Sequence, residues 1–188
     1  MKHVEKFYIS DTHFCHDQMV GPEGWRPFST MEEHDETILE NIIKTVGSGN
    51  KLIHGGDFGM GKPEDGKLEA YLKRIVDAGI ILDFLAIGNH CTDAKLKIYG
   101  KYFKKIHAYR TIGDDAILSH IPIHENQLGR WSFCIHGHIH KNIVMRQKDV
   151  CDPNIYEPDP RYINICVEQW DYKPIHQSVI WEHMRKHK

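Results

Sequence analysis

The chain has 188 residues, the length of one domain of usual size, which is enough to bury a sizeable hydrophobic core. It contains 24 Lys and Arg residues against 26 Asp and Glu residues, and the resulting net charge of -2 excludes a wholesale polyanion binder. Hydrophobic residues make up 40% of the chain, which excludes a disordered protein, and no apolar run reaches the ~18 residues that a membrane-spanning helix needs.

The counts of cysteine and histidine are informative. The five cysteines include no Cys-x-x-Cys pair, so we expect no disulfide framework and a reducing compartment, which predicts a cytoplasmic protein with no membrane partner. The 15 histidines are more than half as many as the Lys and Arg residues together. Histidine is the commonest metal ligand and changes its charge near neutral pH, so the arrangement of these residues matters.

The first predicted elements alternate between strand and helix. Residues 7–9 form a short apolar run that predicts a buried strand, and the stretch 11–30 has no helical period and predicts a long loop, which in a compact domain is usually functional. The motif Ser29-Thr30-Met31-Glu32 has the pattern of a capping box, so we expect a helix to begin there and to end at Gly47. Lys51–His54 predicts a second short strand.

The middle of the chain continues this pattern and then becomes richer in strands. Apolar residues at helical spacing over 68–76 predict a second helix, which Gly79 ends. Residues 80–87 are nearly all apolar and predict a buried strand. Residues 105–112 and 116–119 predict two strands that pair around a Gly-Asp-Asp turn.

The last third of the chain predicts two more strands, over 131–135 and 162–167, separated by an Asp- and Pro-rich loop over 147–161. The tail from about Ile175 predicts a helix. Because strands and helices alternate early and strands dominate later, we expect a layered α/β fold, with one mixed sheet or two stacked sheets between helices. We expect residues 1–188 to form a single domain.

Polar clusters follow the predicted strands at their carboxyl ends, the edge at which layered α/β folds bind ligands. Together they supply two carboxylates, four imidazoles and one amide, with one further histidine. Such donors suit divalent Mn, Fe, Zn, Co or Ni better than Ca or Mg. Seven ligands are too many for one tetrahedral ion but enough for two ions that share a carboxylate, and paired ions commonly catalyse displacement at phosphorus. The clusters are Asp11-Thr12-His13, Asp57, Asn89-His90, His120 and His138-Ile139-His140.

Within two of these clusters the ligands are two residues apart. In an extended strand exit, alternate side chains face the same side, so Asp11 and His13 are expected to point together, as are His138 and His140. Glycines flank the clusters and allow sharp turns or close backbone approach.

The order of these clusters resembles the calcineurin-like metallophosphoesterase superfamily. The family pattern is D-x-H, G-D, G-N-H-D/E, H and G-H-x-H. Here it reads Asp11-Thr12-His13, Gly56-Asp57, Gly88-Asn89-His90-Cys91, His120 and Gly137-His138-Ile139-His140. Segments near Asp11–His16 and Arg26-Pro27-Phe28 are also similar to a small bacterial and phage subgroup of phosphoesterases. The resemblance implies a layered sandwich of two mixed β-sheets flanked by helices, with the metal site at the carboxyl ends of the strands.

The resemblance also implies an enzyme, a phosphohydrolase with two divalent transition-metal ions, for which we expect Mn ahead of Fe, Zn, Co or Ni. One ion would be held by Asp11, His13 and His140. The other would be held by Asn89, His120 and His138, and Asp57 would bridge the two. A hydroxide activated by the metals would attack phosphorus, and His90 would act as the catalytic residue near the leaving group.

One position departs from the family pattern. The family usually carries Asp or Glu after the G-N-H histidine, and here that residue is Cys91, a weak partner for an imidazolium. Asp93 lies close in sequence and is a candidate replacement. The alternative that this departure leaves open is a catalytically impaired metal-binding scaffold of the same fold.

The sequence identifies the class of substrate less specifically than it identifies the metal ligands. Arg26 and His16 lie in the long first loop and are candidates to bind substrate phosphate; the alternative for Arg26 is a pair with a carboxylate that orders the loop. The near-neutral charge favours a small phosphoester or nucleotide, as a phosphodiesterase or a phosphatase. The basic and aromatic segment 95–110 offers a single-strand nuclease as a further alternative, although a solvated helix is the favoured interpretation of that segment.

Overall fold

The computed structural model describes residues 3–149, 151–152 and 154–188. Within these ranges the chain forms four α-helices, which are α1 (Met31–Val46), α2 (Lys67–Asp77), α3 (Asp93–Tyr99) and α4 (Gln177–Lys186). The same ranges contain eleven strands, which are β1 (Lys6–Ile9), β2 (Lys51–His54), β3 (Ile81–Ala86), β4 (Ile106–His107), β5 (Tyr109–Ile112), β6 (Ala116–Ser119), β7 (Phe133–His136), β8 (Met145–Gln147), β9 (Tyr156–Pro158), β10 (Tyr162–Asn164) and β11 (Ile175–His176).

The strands form two larger mixed sheets and one separate hairpin. The first sheet has the order β11-β1-β2-β3-β4, in which only β11 runs antiparallel to its neighbour. The second sheet has the order β10-β7-β6-β5, in which β10, β7 and β6 are parallel and β5 is antiparallel. Strands β8 and β9 pair only with each other. Each larger sheet therefore brings several strand carboxyl ends to one edge.

Alternation of side chains along the first sheet explains its two packed faces. In β1, Phe7 and Ile9 pack against the helices, in a core with Ile38 of α1 and Leu72 of α2, whereas Tyr8 points to the opposite face. Tyr8 joins a second core between the two sheets, which also contains residues of β6 and β7 and of α4. Burial on both faces requires the nearly continuous apolar runs seen in the sequence. The two mixed, stacked sheets confirm the predicted fold class.

Helix α1 begins one residue later than the capping-box pattern predicted. Thr30, rather than Ser29, is the N-cap residue, and its hydroxyl oxygen accepts a hydrogen bond from the backbone N–H of Glu33 at 3.1 Å. The Glu33 carboxylate in turn accepts the backbone N–H of Ser29 at 2.8 Å. The first bond is that of a capping box at Thr30, whereas the second ties Glu33 to the residue before the N-cap.

Two segments differ from their predicted structure. Residues 105–112 were expected to form one strand, but they form β4, which pairs with β3 in the first sheet, and β5, which pairs with β6 in the second. The chain thus changes sheets between His107 and Tyr109. Residues 147–161, expected to be a loop, contribute to the β8–β9 hairpin, which pairs by purely local contacts.

Backbone contacts join the two sheets at the edge where their strands end. Ser10, which follows β1, forms an isolated parallel bridge with Cys166, which follows β10. The backbone N–H of Val167 donates to the Ser10 carbonyl at 3.1 Å. The carboxyl ends of strands from both sheets therefore meet at one place. None of the helices in the described ranges is long and apolar enough to cross a membrane.

Candidate metal centre

The polar clusters identified in the sequence meet at this junction of the two sheets. Clusters from the first sheet follow β1, β2 and β3, and clusters from the second sheet follow β6 and β7. The backbone of the first loop is tied to the second strand exit, because the N–H groups of Asp11 and His13 donate to the carbonyls of Gly56 and Asp57, each at 3.1 Å. The residues that converge are Asp11, His13, Asp57, Asn89, His90, His120, His138 and His140.

Asp11, His13 and His140 form the first group of potential ligands. The Nε2 atoms of His13 and His140 lie 3.6 Å and 3.9 Å from Asp11 Oδ1. One donor atom from each of the three residues lies within 4.8 Å of the other two. Such spacing fits donors arranged around one divalent ion at about 2.0–2.2 Å.

Asn89, His120 and His138 form the second group. Asn89 Oδ1 lies 2.9 Å from His120 Nε2 and 2.9 Å from His138 Nδ1. The rings of His120 and His138 are in edge-to-face contact, with centroids 5.1 Å apart. An amide oxygen and two imidazole nitrogens are thus directed at one point from three different strand exits.

Asp57 lies between the two groups. Its Oδ2 atom is 3.1 Å from His120 Nε2 and 4.0 Å from His13 Nε2. Its Oδ1 atom accepts the backbone N–H of His90 at 2.9 Å, which holds the carboxylate in place. Asp11, Asp57 and His120 also offer donor atoms within 4.8 Å of one another. This carboxylate therefore lies close to histidines of both groups.

Unpaired buried atoms support the binding of metal at this place. Within the described ranges, Asp11 Oδ1 and His13 Nε2 are buried and have no hydrogen-bond partner. Burying a polar atom without a partner is unfavourable, and such atoms are rare in folded proteins. A cation between them would satisfy both, so the residues fit a divalent metal ion.

The ionisation of Asp11, Asp57 and His13 also suits metal binding, whereas His120 must release a proton to bind a metal. Burial alone would raise the pKa values of Asp11 and Asp57, but the imidazoles of His13 and His120, which lie 3.6 Å and 3.1 Å from the respective carboxylates, bring both pKa values below their usual range. Burial lowers the pKa of His13. Burial also acts to lower the pKa of His120, but its hydrogen bond to Asp57 and the charge of Asp11 raise it overall. Charged carboxylates and a neutral His13 are the forms that bind metal.

The candidate ligands are on backbone of unusual conformation. Five of them have a positive φ, so the backbone at these strand exits is left-handed and not extended. The expectation that ligands two residues apart point to the same side of an extended strand is therefore wrong. A positive φ is uncommon for residues other than glycine and marks strain of the kind found at functional sites. The five residues are Asp11 (58°), His13 (50°), Asp57 (50°), His138 (71°) and His140 (52°).

Glu168 belongs to this site, and sequence reasoning missed it. Its Oε1 atom accepts the Nδ1–H of His140 at 2.8 Å, which leaves His140 Nε2 free to face Asp11. Burial would raise the pKa of Glu168, but the hydrogen bond from His140 and the charge of Arg26 lower it overall. The pattern that identified the other site residues also applies to Glu168, because it is a polar residue that directly follows the predicted strand 162–167.

Arg26 lies beneath the site and not in its opening, which contradicts the expectation that it contacts substrate. The side chains of Arg26 and Glu168 are both 0% exposed. The Arg26 Nε and Nη2 atoms donate to Glu168 Oε1 at 2.9 Å and 2.6 Å, and the guanidinium also donates to the carbonyls of Asp11 and Thr12. All of these partners belong to the protein, so Arg26 orders the long loop around the site.

His90 is held by its backbone and exposes its ring. Its Nε2 atom lies 3.9 Å from Asp57 Oδ2, and 36% of its side chain is exposed. Its carbonyl accepts a hydrogen bond from Lys95 Nζ at 3.1 Å.

The ring of His16 lies 6.2 Å from that of His90. Burial and the charges of His13 and His90 lower the pKa of His16 to about 4, so it is neutral at pH 7.

Cys91 does not take the role of the acidic residue that it replaces. Its Sγ atom accepts the backbone N–H of Gly88 at 3.3 Å and so stabilises the turn after β3. Asp93 is the first residue of α3. Within the described part of the chain, neither Cys91 nor Asp93 hydrogen-bonds the ring of His90, and the carboxylate found within 4.0 Å of that ring belongs to Asp57.

The basic and aromatic segment 95–110 does not form a binding platform. Lys95, Tyr99 and Phe103 are buried. The basic residues Lys101 and Arg110 pair with Glu69 and Asp83 respectively. Several of the side chains that would contact a nucleic acid are therefore occupied. The favoured interpretation, a solvated helix followed by an edge strand, is right about the edge strands β4 and β5, but α3 and the residues after it bury part of their surface.

The chain is similar to known proteins along nearly its whole length. The family described as calcineurin-like phosphoesterase matches residues 7–179. The uncharacterized protein MJ1445 of Methanocaldococcus jannaschii is 28% identical over 186 residues, which are 98% of this chain and 94% of that protein. The crystal structure of AQ665, a protein of unknown function from Aquifex aeolicus, is 29% identical with a TM-score of 0.68, and the alignment covers 96% of this chain and 99% of AQ665.

A more distant likeness is to the crystal structure of the nuclease MPE from Pseudomonas putida. The TM-score is 0.46 at 18% identity, and the alignment covers 72% of this chain and 60% of the nuclease. This likeness is too distant for the activity of the nuclease to be transferred. The family match, in contrast, spans nearly the entire chain and includes every motif discussed above. The chain belongs to the calcineurin-like phosphoesterase family, a family of metal-dependent hydrolases.

Proposed function

We propose that this protein is a dinuclear metal-dependent phosphohydrolase. The observation that carries the proposal is the position of Asp57, whose Oδ2 atom lies between His13 of one ligand group and His120 of the other. The unpaired Asp11 Oδ1 and His13 Nε2 atoms support a cation beside them. Membership of a metallophosphoesterase family supports the reaction class.

The short distances within each group of potential ligands support two ligand sets. Asp11, His13 and His140 would hold one ion, and Asn89, His120 and His138 would hold the other, with Asp57 shared. Two divalent ions would lower the pKa of bound water, supply a nucleophile for attack on phosphorus and stabilise charge on its oxygens. The mixture of carboxylate, imidazole and amide donors favours Mn, with Fe, Zn, Co or Ni as further candidates.

His90 would act at the leaving group. Its ring is partly exposed and adjoins the proposed bridging carboxylate, so it can reach a bound substrate from the open side of the site. A protonated imidazole there would donate its proton to the leaving oxygen, or a hydrogen bond that stabilises the oxyanion. Neutral His16 lies beside His13 and His90 and would contact a substrate oxygen. Because Arg26 is buried, the substrate phosphate would be bound mainly by the metals and these histidines.

Metal content and turnover of model substrates test the proposal together. We expect about two transition-metal ions per chain after loading with Mn²⁺, and hydrolysis of bis-p-nitrophenyl phosphate, p-nitrophenyl phosphate or both. Asp57→Asn should lose bound metal and activity. His90→Ala should keep its metal but lower kcat by about 10²–10⁴-fold, the usual contribution of a general acid.

Matched controls are available on the surface. Asp114 and His3 are exposed and precede β6 and β1, at the ends of these strands opposite to those that carry His120 and Asp11, so Asp114→Asn and His3→Ala should leave metal content and turnover unchanged. One ion per chain or none would overturn the dinuclear assignment. Two bound ions without turnover of any phosphoester would favour the metal-binding scaffold instead.

A further inference from the structure

Trp25 is a large apolar side chain that stays exposed beside the candidate metal centre. Its side chain is 45% exposed, and its ring lies edge-to-face with that of His140, with centroids 4.4 Å apart and planes at 75°. An aromatic surface next to a reactive centre offers large contact area and loses little conformational freedom on binding. Trp25 therefore offers a contact surface to a molecule that is bound at the centre.

The cavity at Trp25 opens directly onto the proposed ligands. It has a volume of about 710 Å³, and both His138 and His140 form part of its wall. Lys141 and the exposed Ile143 line it as well. None of its lining residues is acidic. The cavity thus combines an aromatic surface, an apolar wall and a positive charge, and it contains nothing that repels a phosphoester.

A second cavity of similar size has the opposite character. It has a volume of about 690 Å³, includes none of the proposed metal ligands, and is lined by five acidic residues against three basic ones. One of the basic residues, Arg74, is paired with Glu36. Negative charge there disfavours an anionic substrate. The acidic residues are Asp17, Glu32, Asp35, Glu36 and Asp65.

The position of Trp25 is fixed by contacts on both sides of its backbone. Its carbonyl accepts a hydrogen bond from Lys141 Nζ at 2.9 Å. The next residue is Arg26, whose buried pair with Glu168 anchors the loop beneath His140. The backbone N–H of Arg26 donates to the carbonyl of Met19 at 3.0 Å. A surface held in this way is organised before a ligand arrives, which favours binding.

We propose that this cavity binds the nucleobase of a nucleotide phosphoester, which stacks on Trp25 while its phosphate lies at the metal centre. The inference rests on the proposed function and narrows its substrate class to nucleotides and short oligonucleotides. Lys141 faces the negative charge of such a substrate, and Ile143 contacts the sugar or base edge. Stacking on an aromatic ring tolerates every base, so little discrimination among bases is expected.

Paired substrates that differ only in the base test this inference. Adenosine 5′-monophosphate is compared with ribose 5-phosphate, and a thymidine dinucleotide with its abasic analogue. In the Mn²⁺-loaded enzyme, Trp25→Ala should lower kcat/KM for the base-bearing members about 5- to 100-fold, mainly through KM, because stacking contributes to binding. The abasic members should change less than about twofold. Trp25→Phe should keep most of the preference for base-bearing over abasic substrates, because phenylalanine also offers an aromatic ring for stacking.

Two controls separate a subsite from a structural effect. Trp131→Ala removes a half-buried tryptophan that precedes β7, at the end of that strand opposite to His138, and should leave the preference for a base unchanged. Because Trp25 contacts the proposed ligand His140, its removal could also release metal, so the metal content of each variant is measured and matched before activities are compared. Equal losses on base-bearing and abasic substrates, or no loss on either, would overturn the inference.

The failure of the proposed function has a different signature. If the wild-type enzyme hydrolyses none of the four compounds, the proposed function is contradicted for these substrates, and calorimetry with adenosine 5′-monophosphate still decides the inference. Binding that is weakened at least about fivefold by Trp25→Ala supports the base subsite. Affinity that is absent in the wild-type protein, or unchanged in the variant, overturns it.

Discussion

At the scale of single residues, the candidate metal centre depends on atoms just outside the ligands. Asp11 uses its Oδ2 atom for three hydrogen bonds, from Ser10 Oγ at 2.6 Å, from Cys166 Sγ at 3.3 Å and from the backbone N–H of His138 at 2.9 Å. Its Oδ1 atom is therefore left for a cation. Contacts of this kind orient metal ligands, and their loss typically weakens metal affinity by about 10- to 100-fold.

Glu168→Gln should weaken metal binding without changing a single proposed ligand. The amide keeps the size of the side chain but removes the charge that pairs with Arg26 and holds the Nδ1–H of His140. We expect one of the two Mn²⁺ ions to bind about 10- to 100-fold more weakly, measured by calorimetric titration.

The control for this variant is Glu157→Gln, which removes a half-buried carboxylate that pairs with Arg146 on the β8–β9 hairpin. Its metal affinity should match that of the wild-type protein. Equal affinities of Glu168→Gln and wild type would show that the carboxylate only anchors the loop.

At the scale of elements, the strand exits bring side chains and backbone unusually close. A Cβ atom on Gly137 would collide with Ser10 Oγ and with Asp11 Oδ2, and a Cβ atom on Gly88 would collide with the carboxylate of Asp57. Both glycines therefore let one strand exit approach a carboxylate on another. This close approach explains why glycine precedes the polar clusters in the sequence.

Gly137→Ala should disturb the site through sterics alone, since a positive φ is not involved at this position. The added methyl group must displace the carboxylate of Asp11, so we expect a destabilisation of about 1–3 kcal/mol in urea unfolding, together with weaker metal binding.

Gly129→Ala provides the matched comparison, because a Cβ atom there meets nothing within 4 Å. That variant should have wild-type stability and metal content. If the two variants behaved alike, the close approach at Gly137 would have no energetic consequence.

At the scale of the whole molecule, one ionic cluster ties the two sheets together. Asp83 of β3, in the first sheet, lies 3.2 Å from Lys51 Nζ of β2 and accepts a hydrogen bond from Arg110 Nη1 of β5, in the second sheet, at 2.9 Å. Burial would raise the pKa of Asp83, but the hydrogen bonds from Arg110 and Lys51 lower it overall. The charged form is thus the one that the folded state favours.

Asp83→Asn should therefore destabilise the protein in a pH-dependent way. Because the pKa of Asp83 is lower in the folded than in the unfolded chain, its contribution is present above about pH 4 and is lost as the pH falls through the folded value. We expect a loss of about 1–2 kcal/mol in the free energy of unfolding at pH 7. The difference from wild type should shrink below pH 4 in urea titrations, whereas Asp114→Asn should show no difference at either pH. A gap that is constant with pH would exclude the ionic explanation.

The sequence by itself determined the family, the general α/β architecture and the positions from which the site is assembled. This was possible because these features are local: apolar runs of strand length, the turns that end them and the polar residues that follow. Asp57, for instance, follows Gly56 and the strand Lys51–His54, and its place in the ordered set of five motifs made it a candidate ligand. The roles of the individual ligands, of His90 and of His16, and the single-domain organisation of the chain, stay predictions.

Only the tertiary structure decided which distant groups pair. Arg26 and Glu168 are 142 residues apart, and their buried contact turned a candidate substrate residue into a support for His140. The division of residues 105–112 between two sheets likewise depends on which partner strand each half meets. Pairings of this kind arise from packing between separate parts of the chain, and local pattern carries no information about them.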